Sequence, residues 1–238
     1  MGDDPRFEVF WSEGRGELRA VLGEAAGVPF ESAAPVRSFP SYRGQRHFPG
    51  WYYAACMDRL VEFESWLERD HALLLDFDPQ VLAFAAQPFW LWWTEQGARR
   101  RHAPDFFARA ADGTGLVVDC RPLDRIDERS AQSFAAMRAA CERVGWIYRL
   151  VGAVDPVRAG NLRWLSGYRQ RRFGQDAVLV AAVEAAFAVP EPLFARAAQV
   201  ADPIRVLPVV FHLLWLGVLT ADLSVPLGDG SLVARSIR

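Results

Sequence analysis

A chain of 238 residues that is 51% hydrophobic and carries a net charge of −2 can build one large or two small globular domains, and it lacks the overall positive charge of a general nucleic-acid binder. No apolar run reaches the roughly 18 residues of a membrane span, and the start MGDDPRFEVF is acidic where a secretory leader is basic and then apolar, so a cytoplasmic protein is expected. The three cysteines, Cys56, Cys120 and Cys141, form no CxxC pair and read as buried thiols rather than as a disulfide framework or a zinc knuckle.

All 27 basic residues are arginine. Arginine stays charged at any ordinary pH, so it can neutralise a phosphate but not shuttle a proton. Two clusters stand out, Arg99, Arg100 and Arg101, and Arg169, Arg171 and Arg172. Each reads equally well as a phosphate contact or as a solvated face.

In chain order, residues 1–35 form a lead-in with a predicted short helix in GELRAVLGEA. The segment SFPSYRGQRHFPGWYY reads as an extended arm, either lying on DNA through Arg43, Arg46 and His47 or strapped to the core by Phe48, Trp51 and Tyr53. A helix is predicted from about Arg59 to Leu75, with Leu60, Phe63, Leu67 and Leu74 on one stripe and Glu64 and Glu68 at its margin. Pro79 sets its end. Strand-like runs follow in VLAF, PFWLWWT, PDFFARA and GLVVDCR, with turn signals at Gly97 and Asp112-Gly113. A helix over Asp127–Arg143 and a strand in WIYRLVG complete an α/β sandwich. After Val154 four helical patterns precede two short alternating runs around Gly228, Asp229 and Gly230, the order of a winged helix. Its would-be recognition helix, Ile204 to Leu219, is nearly all apolar and suits protein packing better than base reading.

Three of the acids within residues 63–122 stand out by their placement: Glu68 on a helix, Asp105 opening a strand, and Asp119 ending the next. A hairpin would bring Asp105 and Asp119 side by side, and Arg121, two residues on, would share a face with Asp119. Carboxylates that converge beside a cation are what a divalent-metal phosphodiesterase needs. Each acid also has a plainer reading, as a turn residue or as the partner of a nearby arginine.

The order Glu, PD, acid-x-base resembles the PD-(D/E)xK nuclease superfamily. Five blocks carry a closer likeness to TnsA-type endonuclease subunits of heteromeric transposases: ESWLERD from Glu64 to Asp70, DFDPQV from Asp76 to Val81, QPF from Gln87 to Phe89, HAPDFF from His102 to Phe107, and VVDCRP from Val117 to Pro122. The resemblance spans roughly residues 36–150. It implies a restriction-endonuclease-like core, a mixed sheet flanked by helices, over residues 36–154, and work in a complex, for which the helical, winged-helix-like domain read over residues 155–238 would be the partner-binding part. It also implies Glu68, Asp105 and Asp119 as ligands of Mg²⁺, with Mn²⁺ as a substitute, and Glu64 as the rival to Glu68. Arg121 stands where the family has lysine. The implied catalytic set is Glu68, Asp105, Asp119 and Arg121, and the implied activity is nicking of the 5′ strands at transposon ends beside a transposase subunit and an ATPase regulator. Contacts to double-stranded DNA are expected from Arg43, Arg46, His47, Arg99, Arg100, Arg101 and His102. A stand-alone nuclease of the same fold, or a scaffold whose catalytic centre has decayed with the lysine-to-arginine change, are the alternatives.

Overall fold

The computed structural model describes residues 6–14, 16–37 and 48–237, so Arg43, Arg46 and His47 of the expected DNA-binding arm lie outside the described residues. Among the described residues the protein is mixed α/β, with several sheets and seven α-helices, none of them long and apolar enough to cross a membrane. The chain divides into two compact units, Met1–Ala153 and Val154–Arg238.

In the first unit β1 (Glu8–Glu13) and β2 (Gly16–Val21) form an antiparallel hairpin that leads into a one-turn helix, α1 (Leu22–Ala25). The expected helix in GELRAVLGEA is thus mostly strand: its Glu, Leu, Arg and Ala favour helix, but pairing with β1 overrides that propensity. A second hairpin joins β3 (Gly50–Ala54) and β4 (Arg59–Phe63), and the helix predicted from Arg59 begins only at α2 (Trp66–Phe77). The reason is local, because the Ser65 hydroxyl accepts the Glu68 amide and caps the helix there.

β5 (Val81–Ala86), β6 (Trp90–Glu95), β7 (Ala98–His102), β8 (Phe106–Ala110) and β9 (Gly115–Cys120) follow, then α3 (Glu128–Arg143), capped by Asp127, and β10 (Ile147–Val151). Two four-stranded sheets result, β2-β1-β6-β7 and β10-β9-β8-β5, the second mixed because β9 and β10 are parallel. The second sheet is covered on both faces. Phe107 and Val117 pack with Val9, Leu91, Trp93 and the α3 residues Met137 and Cys141. Phe106, Leu116 and Val118 point the other way, against Ala72 and Leu75 of α2 and Val61 of β4. Every residue of β9 is therefore buried, which is why GLVVDC reads as a continuous apolar run with one acid in it. Full burial of a side chain such as Phe106 or Phe107 contributes about 1.5–3 kcal/mol. Cys120 and Cys141 are buried as expected, but Cys56 is exposed.

The second unit holds α4 (Pro156–Ser166), α5 (Ala177–Ala186), α6 (Leu193–Val200) and α7 (Pro203–Trp215), with a three-stranded sheet ordered β11 (Glu191–Pro192), β13 (Leu232–Arg235), β12 (Leu219–Ala221). Helix α7 buries Val206 and an unbroken stretch from Val209 to Trp215, as its apolar sequence requires of a core helix. The expected terminal pairing differs in register. β13 pairs with Leu219–Ala221, while the run through Val225 is a loop pinned by Asn161, which donates to the carbonyls of Leu223 and Val225 and accepts the amide of Leu227.

Candidate functional site

The β8/β9 register pairs Phe106 with Val118, so Asp105 lies opposite Asp119 one step beyond the ladder, where opposed residues of antiparallel strands share a face. Asp105 is half-buried and its Oδ2 accepts the Cys120 amide at 2.7 Å; its Oδ1 takes no hydrogen bond from a described residue. Asp119 is 1% exposed, and both of its oxygens are engaged. His102 Nε2 lies 2.8 Å from Oδ1, and because a carboxylate only accepts, the Nε2–H tautomer donates. The Tyr148 hydroxyl donates to Oδ2 at 2.8 Å. Burial first, and then Asp119, pushes the Tyr148 phenol up, so the proton stays on the donor.

The third carboxylate comes from the start of α2. Glu68 is 7% exposed, accepting the Ser65 hydroxyl on Oε1 at 2.8 Å and the Glu64 amide on Oε2 at 2.7 Å. With Ser65 accepting the Glu68 amide in return, Ser65 and Glu68 close the helix start reciprocally, a variant of the capping box in which Glu68 takes the amide of Glu64, one residue before the cap; Ser-x-x-Glu ahead of a helix announces that role in sequence. Glu64 binds elsewhere, in an ion pair with Arg37 at 2.9 Å and within 3.4 Å of the Gln87 amide nitrogen; Gln87 in turn accepts from Arg37 Nε at 2.7 Å. Gln87 is fully buried with φ at +46°, a backbone region that costs a non-glycine residue on the order of 1 kcal/mol, and its carbonyl accepts the Val36 amide.

Glu64, Glu68, Asp105 and Asp119 all line one cleft of about 600 Å³. Their mutual influence is electrostatic as well as spatial. The Asp105 carboxyl is held well above the ordinary carboxylate range by burial, then by Asp119 and then by Glu68, and the Glu68 carboxyl is raised chiefly by burial. The Cys120 thiol is pushed well up by burial and by the same three acids. Exposed Arg101, Arg121, Arg125 and Arg129 stand at the rim, so buried acids lie beneath a positive edge.

Such a donor set fits a hard divalent cation in chemistry: three carboxylates facing one space, and a charge conflict that a cation would relieve. Among the described residues, however, no three His, Cys, Asp or Glu side chains stand grouped as a ready coordination shell. Asp105 has an oxygen that takes no hydrogen bond from a described residue, whereas each oxygen of Glu68 and Asp119 already accepts one and has a single lone pair left to offer.

Arg121 does not pair with Asp119. Strand β9 stops at Cys120, and the Arg121 guanidinium acts instead on Asp127, whose carboxyl is lowered first by the Ser130 amide and then by Arg121 and Arg129. His102 is drawn inward to Asp119 and packs edge-on against Phe134. Arg99 and Arg100 do not line this cleft and lie on the edge strand β7, while Arg172 of the other cluster stacks on Phe173. Arg37, Ser65, Gln87 and Tyr148 had no site role in the sequence, although Ser65 and Gln87 fall in the blocks that carry the resemblance. Ser65 alone has a local signal as a cap; Arg37, Gln87 and Tyr148 reach Glu64 or Asp119 through long-range pairing. Compared with known proteins, the chain matches no family model, and no curated protein matches it.

Proposed function

We propose that the protein is a Mg²⁺-dependent DNA endonuclease with a restriction-endonuclease-like core, acting as the strand-nicking subunit of a heteromeric transposase at the 5′ strands of transposon ends, beside a transposase subunit and an ATPase regulator. One observation carries the reading: Glu68, Asp105 and Asp119, far apart in the chain, line a single cleft under an arginine rim. Asp105 and Glu68, with Asp119 behind them, would hold Mg²⁺ or Mn²⁺, which supplies charge neutralisation at a phosphate and an acidified water. Arg121 and its neighbours at the rim would neutralise the phosphate oxygens as charge builds, a task that needs no proton transfer. His102 and Tyr148, each bonded to one oxygen, hold the Asp119 carboxylate in place. The second unit, with its winged-helix-like order of helices and terminal strands, would serve partner binding.

Nicking of a transposon-end duplex by the assembled complex tests this directly. Asp105→Ala should abolish metal-dependent nicking with the melting transition retained; undiminished nicking sinks the assignment. A scaffold role is the second reading, favoured by Arg121 in place of lysine and by the engaged oxygens of Asp119. Calorimetric titration with Mn²⁺ separates the two, since absence of binding at millimolar metal favours the scaffold.

A further inference from the structure

The sheet β2-β1-β6-β7 buries one face, through Val9, Leu91 and Trp93, whereas Phe10, Trp90 and Trp92 on the other face are only partly buried. On that outer face two of the three β7 arginines, Arg99 and Arg101, sit over aromatic rings. The Arg99 guanidinium sits 4.2 Å from the ring centre of Trp92, and that of Arg101 sits 4.3 Å from Trp90. Packing over a ring restricts each planar group in advance, and Arg99 still keeps 53% of its side-chain surface exposed. Arg99 meets Glu8 only at 3.7 Å, and Arg101 makes no ion pair with a described residue. A depression of about 310 Å³ continues from here, lined by Arg99, Arg100, Arg101 and Arg129, with Glu95 its acid. Arg101, Arg129 and Ser133 also line the acidic cleft, so the two concavities are neighbours.

The geometry points to a track for the sugar–phosphate backbone of a DNA duplex, running over Arg99 and Arg101 on their tryptophans, past Arg129 and into the cleft. Resting on the nuclease reading for its destination, it adds the route by which the strand arrives. Two arguments select this partner. The groups are permanently charged, preorganised forks, which suit phosphate oxygens, and the rings beneath them are already covered, which excludes base stacking as the main contact. A run of three arginines in sequence divides accordingly: Arg99 and Arg101 share the stacked face, while Arg100 projects to the opposite side of the strand.

Fluorescence anisotropy of a labelled duplex without divalent metal, across a salt series, tests the track apart from catalysis. Replacing Arg99, Arg101 and Arg129 together by Gln should lower the slope of log affinity against log salt by about 2–3 and weaken binding by roughly 10²–10³-fold near 0.1 M salt, at about 0.9 in slope per phosphate contact. If the triple variant fails to fold, Arg101→Gln alone should lower the slope by about 0.9. Arg149→Gln, on an exposed position of β10, serves as the control and leaves both quantities unchanged. Unchanged slope and affinity in the folded triple variant overturn the track, as does displacement of the duplex by polyglutamate as effective as by unlabelled DNA at equal charge. Asp105→Ala that binds DNA fully yet never nicks upholds the track and is compatible with nuclease activity only if wild type nicks; a wild type that binds and never nicks overturns the nuclease reading alone.

Discussion

Tyr148→Phe isolates one hydrogen bond to a carboxylate that lines the cleft. The phenol donates to Asp119 Oδ2 at 2.8 Å, with Asp119 buried, and the ring keeps its remaining packing, including the Arg138 guanidinium 5.3 Å from its centre. A hydrogen bond to a charged acceptor contributes roughly 1.5–3 kcal/mol, and losing it leaves a buried carboxylate oxygen without that donor. For a unit of this size each kcal/mol lowers the melting temperature by about 2–4 °C, so a fall of about 3–12 °C is expected. Tyr53→Phe is the matched comparison: its hydroxyl donates to Asp58 at 2.6 Å, a shorter bond but an exposed one, where water replaces the donor and the loss stays under about 1 kcal/mol. Differential scanning calorimetry of both variants measures the contrast. Equal shifts in the two, or none in Tyr148→Phe, would refute the claim that burial rather than length sets the strength of these contacts.

Asp105 makes stability depend on pH in a stated direction. Its folded carboxyl titrates above the unfolded value of about 3.9, so the folded state keeps a proton that the unfolded chain has lost. Without divalent metal, stability should therefore fall as pH rises from that value through the raised one; Asp105→Asn should remove the fall, and 10 mM Mg²⁺ should offset it in wild type. Urea titrations from pH 4 to pH 8 read this out, and a wild type to Asn difference that is flat with pH counts against it. Gly115→Ala places a Cβ 2.7 Å from Trp146 Cδ1 and 2.9 Å from Phe107 Cζ, both in the core, and should cost about 1–3 kcal/mol in urea denaturation. In the second unit, Asn161→Ala removes three hydrogen bonds to one loop and should cost about 3 kcal/mol, with amide exchange at Leu227 accelerated.

The parts of the fold that depend on local pattern were legible in sequence. The amphipathic run from Asp127 to Arg143 announced α3, the apolar run GLVVDC announced a buried strand, and Gly97 announced the turn that ends β6. Boundaries failed where two elements abut. Leu60, Phe63, Leu67 and Leu74 keep a helical period across the junction of β4 and α2, so the stripe masks a strand unless the cap Ser65 is weighed. Strand β7, ARRRH, has no apolar alternation because it is an edge strand whose outer side chains meet solvent and tryptophans. At the site, the adjacency of Asp105 and Asp119 followed from a hairpin with a recognisable turn. What sequence could not give was the company Asp119 keeps, since Tyr148 reaches it from a parallel strand beyond a helix and His102 from another sheet.

Glu68 has two allegiances at once. Its oxygens close the first turn of α2 and also face the cleft, so whatever draws them toward the cleft must loosen the amide of Glu64 and the hydroxyl of Ser65. Occupancy of the cleft and fraying of that turn are thus thermodynamically linked, and hydrogen exchange at the helix start becomes a reporter of events several side chains away.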